Sequence, residues 1–580
     1  MHTFRKSHTL GLVALIAVGA ALGLFLFYNR TRPSPACLQE FDLIITGAEI
    51  IDGSGEKPVF ADIGIKNKRI ACVGDLANAK SQKVIDAKGL TVTPGFIDVH
   101  THVERNVPAN SPFVAPNFIH QGVTTIITGN CGRSFLDIAK FFKLLEANGS
   151  QVNVATLVGH NTVRQAVMKQ SSSAPSPQQL QQMSVMVDRA MADGAFGMST
   201  GLVYVPGTFA RTDEIVALVK TIARRHGIYV SHIRDEASKG EAAIREAIAI
   251  GEKTGAHIHI SHFKAQGPNQ WGAAQARLDL LRSAQNLGQI VSLDQYPYNA
   301  SSTGLAVLVP SWLSEGSLGA AQRKLNDPAA RARVRREMLT QLRANGWKDY
   351  SFARIAYCQF DRSLIGLNIA EVSERRRAGD STSQHVKTVK AVHGHSLSPR
   401  SETDLEDKLL QQADTVIDLY THGGAQMVFF DMAEEDIETI IKNSAVMFGS
   451  DSSIRDEGAS SRPHPRGFGT FPRVLGFYAR DKGLLSVEEG VRRMTSLPAT
   501  TFGIGKRGYI RTDYWADLVI FDRNRIRDRA TYEDPLHAPD GIAYVIVNGS
   551  IVLDQNGPTT VNPGMVIRRN PPTESQPATP

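Results

Sequence analysis

Six residues with metal-binding side chains stand at or just past the ends of apolar runs. His100 and His102 close GFIDVHTH, Cys131 lies in TGNCG, His232 in VSHIRDE, His262 in ISHFKAQ and Asp451 in GSDSS. Imidazole and thiolate are the usual zinc donors, and a zinc site with an open position activates water. Each residue alone has an ordinary reading: a histidine pair can simply be hydrogen-bonded in a half-buried strand, and a lone cysteine after a strand is most often a small buried hydrophobe. Six donors in like positions make a stronger case, because strand ends converge when the strands lie parallel around one axis.

Side chains alternate along a strand, which places Phe96, Asp98, His100 and His102 on one side and Ile97, Val99 and Val103 on the other. The expectation is histidines facing inward and apolar residues facing covering helices.

The elements that must position these donors recur along the chain. Eight strand-like runs are present: LTVTPGFIDVH, GVTTIITGNCG, VNVATLVGH, AFGMSTG, GIYVSHIRD, AHIHISHFK, QIVSLDQYPY and AVMFGSD. Most are followed by a helical pattern, which implies parallel βαβ units and an α/β fold, a closed TIM-type (β/α)8 barrel over residues 91–499. A doubly wound open sheet is the structural rival, disfavoured because no glycine-rich dinucleotide fingerprint follows the first strand.

The long stretch between the seventh and eighth runs exceeds any ordinary loop. It predicts an insertion at about 303–440, with an arginine-rich helix at 320–344 whose charges form a solvated face and an exposed loop at HSLSPRSETD. Short alternating strands flank the barrel at 37–90 and again at 500–567. Together they predict one small β-sandwich built from both chain ends, with a disordered tail at 568–580.

Residues 9–28, TLGLVALIAVGAALGLFLFY, carry no charge and follow Arg5 and Lys6. A bilayer-spanning helix needs about 20 apolar residues, and a cleavable signal core is usually shorter. A signal anchor over 1–36 is therefore expected, with the body outside the cytoplasm; cleavage before Cys37 is the alternative. The net charge of +7 falls to +3 once Arg5, Lys6, Arg30 and Arg32 are set aside (7 − 4). Without a basic tract, nothing argues for nucleic acid. Cys37, Cys72, Cys131 and Cys358 are too scattered for a dense disulfide framework or a CxxC site, so any one could be structural or a single ligand.

PGFIDVHTH, the paired SHIRDE and SHFKA motifs, LDQYPYNASST and HPRGFGTFPRVLG resemble the amidohydrolase superfamily, specifically the N-acyl-D-amino-acid deacylases, over roughly residues 41–560. The resemblance implies a tightly held zinc on Cys131, His232 and His262, and a second, weaker position formed by His100 and His102 with the shared Cys131 thiolate. It makes Asp451 the catalytic acid and base and Arg466 the grip on a substrate carboxylate, with Lys264, Tyr296 and Ser302 lining the pocket. His160 matches the pattern without a chemical role. The implied reaction is hydrolysis of an N-acyl-D-amino acid, a small-molecule substrate, to a D-amino acid and a carboxylate. Rival readings are a related amidohydrolase acting on D-configured dipeptides or cyclic amides, and a membrane-tethered metal-binding protein without turnover.

Overall fold

A computed structural model describes residue 37 and residues 39–378, 402–458 and 460–569. The run at 9–28, the HSLSPR loop and all but the first two residues of the 568–580 tail lie outside these. Among the described residues no helix is long and apolar enough to cross a membrane.

Eight parallel strands form the centre of the molecule. The first is Phe96–Asp98 and the second Val123–Thr128; the third comprises Asn153–Thr156 and Val158–Gly159, interrupted at Leu157. The fourth to eighth are Gly197–Gly201, Ile228–His232, His257–Ile260, Val291–Gln295 and Val446–Phe448. Each pairs in parallel with the next. Beyond the eighth strand, the Asp451 N–H donates to the His100 carbonyl at 2.8 Å, and His102 N–H donates to the Ser452 carbonyl at 2.8 Å. These bonds return the pairing to the first strand and complete the ring.

Helices cover the ring because their apolar residues recur on one face. In Gly240–Thr254 the buried residues Ala243, Ile244, Ala247, Ile250 and Gly251 follow the three-four spacing, and Gly255, in the left-handed region at φ 66°, ends the helix. Pro177–Ala192 begins at a capping box in which the Ser176 and Gln179 side chains satisfy each other's backbone N–H groups.

Two expectations about the first strand need correction. LTVTPGFIDVH is two strands in two sheets: Thr91–Pro94 joins the flanking sheet and Phe96–Asp98 the ring. The chain crosses between them at Gly95, where a Cβ would lie 2.1 Å from the Thr124 hydroxyl. The inward and outward phases are also reversed. Ile97 and Val99 share a lumen cluster with Val230 and Met447, whereas Phe96 packs outward against Phe471. The register shifts between Phe96 and Ile97 and the strand ends at Asp98, so simple alternation does not carry through to His100.

The flanking segments form a single nine-stranded sheet. Leu518–Phe521 pairs antiparallel with Thr91–Pro94 on one side and with Ile542–Val547 on the other. A disulfide joins Cys37 to Cys72 in the strand Arg69–Gly74, with Cα atoms 5.2 Å apart.

Between the seventh and eighth strands, Ser301–Gly304, Ala353–Tyr357 and Gln426–Phe429 form a three-stranded antiparallel sheet. It packs with the helix Pro328–Ala344 around a core of its own that includes Met338, Leu342, Ile355 and Phe429. Asp327 caps that helix through its side chain, and arginine partners tie it down: Arg331 and Arg335 both bond Asp414 at 2.8 Å. The arginine-rich face is thus partly engaged with a neighbouring helix rather than wholly solvated.

Candidate active site

At the C-terminal end of the ring the six donors meet. Cys131 Sγ lies 3.3 Å from His100 Nε2 and 3.6 Å from both His232 Nδ1 and His262 Nε2. His102 Nε2 is 2.9 Å from Asp451 Oδ1, and His100 Nε2 is 3.5 Å from the same oxygen. Donor atoms within 4.8 Å of one another form three overlapping groups: His100, Cys131 and His262; His100, His102 and Asp451; His232, Glu236 and His262. Cys131, His262 and Asp451 have positive φ values of 49°, 34° and 49°. Such backbone is costly for residues with a Cβ and clusters where side-chain aim matters.

Electrostatics favour charged donors. Burial opposes a Cys131 thiolate, but the His100, His102 and His232 imidazoles outweigh it and hold the thiol well below its ordinary range. Asp451 follows the same pattern: burial raises its pKa, while Arg466, His100 and His102 bring it well below the usual value. The two anions hold His102 up to about 9 against the effect of burial. A divalent cation would meet the same negative charge and leave the imidazoles neutral as ligands, so the donor set fits a metal in both charge and spacing.

Around this core, Glu236 Oε1 lies 2.9 Å from His262 Nδ1 and accepts from Lys264 Nζ at 2.6 Å. Lys264 thereby holds Glu236 beside the imidazoles. Arg466 Nη1 sits 2.9 Å from Asp451 Oδ2, an ion pair whose angle leaves that nitrogen without an aligned hydrogen bond. Its Nη2 donates to the Ser302 carbonyl at 3.2 Å, and its guanidinium lies 4.6 Å above the Tyr296 ring. The Ser302 hydroxyl donates to the Met427 carbonyl, so in this structure Ser302 links the insertion to Arg466. His160 lies apart, buried and 2.8 Å from Glu214.

A cavity of about 160 Å³ opens beside the donors, lined near them by Tyr204, Glu236, Lys264, Tyr296 and Asp451. The insertion supplies an apolar wall that includes Leu308, Met338, Leu342 and Phe352. Glu236, Tyr204 and Asp294 were not singled out from sequence. Glu236 stands four residues after His232 inside SHIRDE, and Asp294 inside LDQYPY, so both motifs carried a signal. Tyr204, whose ring centroid is 4.9 Å from that of His232, follows the fourth strand without such a mark.

A buried thiolate among imidazoles, with a paired carboxylate, at the C-terminal ends of parallel strands under a helical coat defines a metal-dependent hydrolase of the barrel type. Comparison with known proteins gives the same class. Residues 83–553 match the model of the amidohydrolase family. The chain is 34% identical to a D-aminoacylase of Alcaligenes xylosoxydans xylosoxydans over 92% of its length and 98% of that protein. It is 33% identical to an N-acyl-D-glutamate deacylase of the same organism, over 92% of this chain and 97% of that one. Among solved structures, the N-acyl-D-glutamate deacylase of Bordetella bronchiseptica, complexed with zinc and a phosphonate mimic of the tetrahedral intermediate, aligns with a TM-score of 0.72 at 32% identity, covering 91% of this chain and all of that one. The chain belongs to the amidohydrolase family.

Proposed function

We propose that this protein is a zinc-dependent deacylase that hydrolyses N-acyl-D-amino acids to a D-amino acid and a carboxylate. The observation that carries the reading is Arg466, buried and aimed at Asp451, with Nη1 lacking an aligned hydrogen bond beside the thiolate and imidazole cluster. A substrate carboxylate would satisfy that fork, which guanidinium geometry favours. The D-configured substrates named for the full-length relatives support the stereochemistry.

Cys131, His232 and His262 would hold the tight metal, and His100 and His102 with Cys131 would hold a second one. When bound, zinc supplies a Lewis acid and lowers the pKa of water. Asp451, kept ionised by its neighbours, takes a proton from the attacking water and returns it to the departing nitrogen. Tyr296 supports the Arg466 guanidinium from below, Ser302 positions it through its carbonyl, and Lys264 fixes Glu236 against His262. The test is turnover on paired N-acyl-D- and N-acyl-L-amino acids and on the corresponding carboxamides. Release of the free amino acid from the D series alone, with carboxamides poor, is expected; equal use of carboxamides would remove Arg466 from carboxylate recognition.

We also propose, from the uncharged run at residues 9–28, that the catalytic body lies outside the cytoplasm and is tethered through that run. The Cys37–Cys72 disulfide supports it, because such bonds persist in oxidising compartments.

A further inference from the structure

Much of the barrel lumen is lined by apolar side chains, Ile97, Val99, Ile127, Leu157, Val230 and Met447 among them. The inward side of the sixth and seventh strands is polar instead. His259 and Asp294 are fully buried there and Ser292 is 8% exposed. Uncompensated, such groups would cost several kcal/mol, so their partners matter.

They form a column. His257 Nε2 lies 2.8 Å from Ser292 Oγ, which lies 2.9 Å from His259 Nδ1. His259 Nε2 lies 2.7 Å from Asp294 Oδ2, and that oxygen is 3.4 Å from His100 Nδ1. The other oxygen, Asp294 Oδ1, accepts from the backbone N–H of His262 at 2.9 Å.

The carboxylate in the middle of the column fixes what its two imidazole neighbours donate. A carboxylate only accepts, so both His259 Nε2 and His100 Nδ1 carry hydrogens. His259 Nδ1 and His257 Nε2 both meet the Ser292 hydroxyl, which can donate to one ring and accept from the other. At the upper end His100 turns its other ring nitrogen, Nε2, toward Cys131 and Asp451, so Nε2 is the atom aimed at the donor cluster.

We propose that this column positions the metal site from beneath: His257, Ser292 and His259 orient Asp294, which holds the His100 ring with Nε2 toward the donor cluster and holds the His262 backbone in place. Partners one step behind a ligand commonly set its aim, and their loss lowers metal affinity. The proposal rests on the zinc reading above, and the two fail separately.

The experiment strips the full-length protein of metal and titrates zinc against a chromophoric chelator, with the thermal midpoint of the metal-free protein measured alongside. His259→Leu should lower zinc affinity about ten- to hundredfold. His259→Gln, which still donates toward Asp294, should recover most of it. Phe502→Leu, which alters the ring packed 5.5 Å from that of His259, should lower the midpoint and leave affinity unchanged. If His259→Leu binds zinc like the wild type, or His259→Gln falls equally far, the positioning role is wrong. Should His259→Leu fail to fold, Ser292→Ala removes only one hydroxyl; unchanged affinity there overturns the proposal, and a severalfold loss upholds it. A wild-type protein that binds no zinc would instead refute the metal reading itself.

Discussion

Asp451 has a different neighbour on each oxygen, His102 on Oδ1 and Arg466 on Oδ2, and both need its negative charge. Asparagine preserves the shape but cannot accept a proton. Asp451→Asn is therefore expected to fold, keep zinc on Cys131, His232 and His262, and lose about a hundredfold to ten-thousandfold in single-turnover rate, the usual contribution of a placed acid or base. Zinc content and hydrolysis measured on one preparation decide the matter: full zinc with near wild-type rate excludes the shuttle, and loss of zinc makes the residue chiefly a ligand. At this scale the candidate donors that the structure brings together were readable, since histidine, cysteine and aspartate at strand ends stand out against apolar runs. Their supports were not. His259 occupies an ordinary alternating position in HIHIS, and LDQYPY marks Asp294 without showing its partners, because only a closed ring brings the sixth and seventh strands' inward faces to His100.

Asp431 fastens the insertion to the barrel. Just after the strand Gln426–Phe429, its Oδ2 accepts from Ser301 Oγ and Gln266 Nε2, each at 2.5 Å, while its carbonyl accepts from Gly267 N–H at 2.7 Å. Burial pushes its carboxyl up to about 6, with Ser301 and Gln266 restraining the rise, and Oδ1 has no partner. The sign follows from linkage: a folded pKa above the unfolded 3.8 means the folded state holds the proton longer, so stability falls as pH rises through about 6 and the penalty vanishes below about 4. Two pKa units correspond to about 3 kcal/mol at most. Between pH 4 and pH 8 the stability difference should move in favour of Asp431→Asn by about 1 to 3 kcal/mol in denaturant melts; a difference independent of pH would show that Asp431 is not the titrating group. Element types were legible from the recurrence of apolar runs. What misled was local: the crossing at Gly95 and the shifted register at Phe96 come from contacts with Thr124 and the second strand, which no single run records.

The segments that flank the barrel meet in one sheet, and the Cys37–Cys72 bond fastens the first of them. Closing a span of 35 residues is expected to stabilise the fold by about 3 to 4 kcal/mol on the chain-entropy account. Cys72→Ser should show that loss in denaturant melts, and in the host both thiols should resist alkylation until reduced, in protein recovered with membranes. Free thiols in full-length soluble protein would sink both the oxidising location and the anchor. The central position of Leu518–Phe521 bears on synthesis. Thr91–Pro94 leaves the ribosome about 420 residues before its partner, a wait of about 20 to 85 s at ordinary elongation rates. For that interval one edge of Thr91–Pro94 lacks its partner strand, so the sheet is completed only late in synthesis. A nascent chain that carries an incomplete sheet for this long stays exposed to mispairing until the last strands emerge.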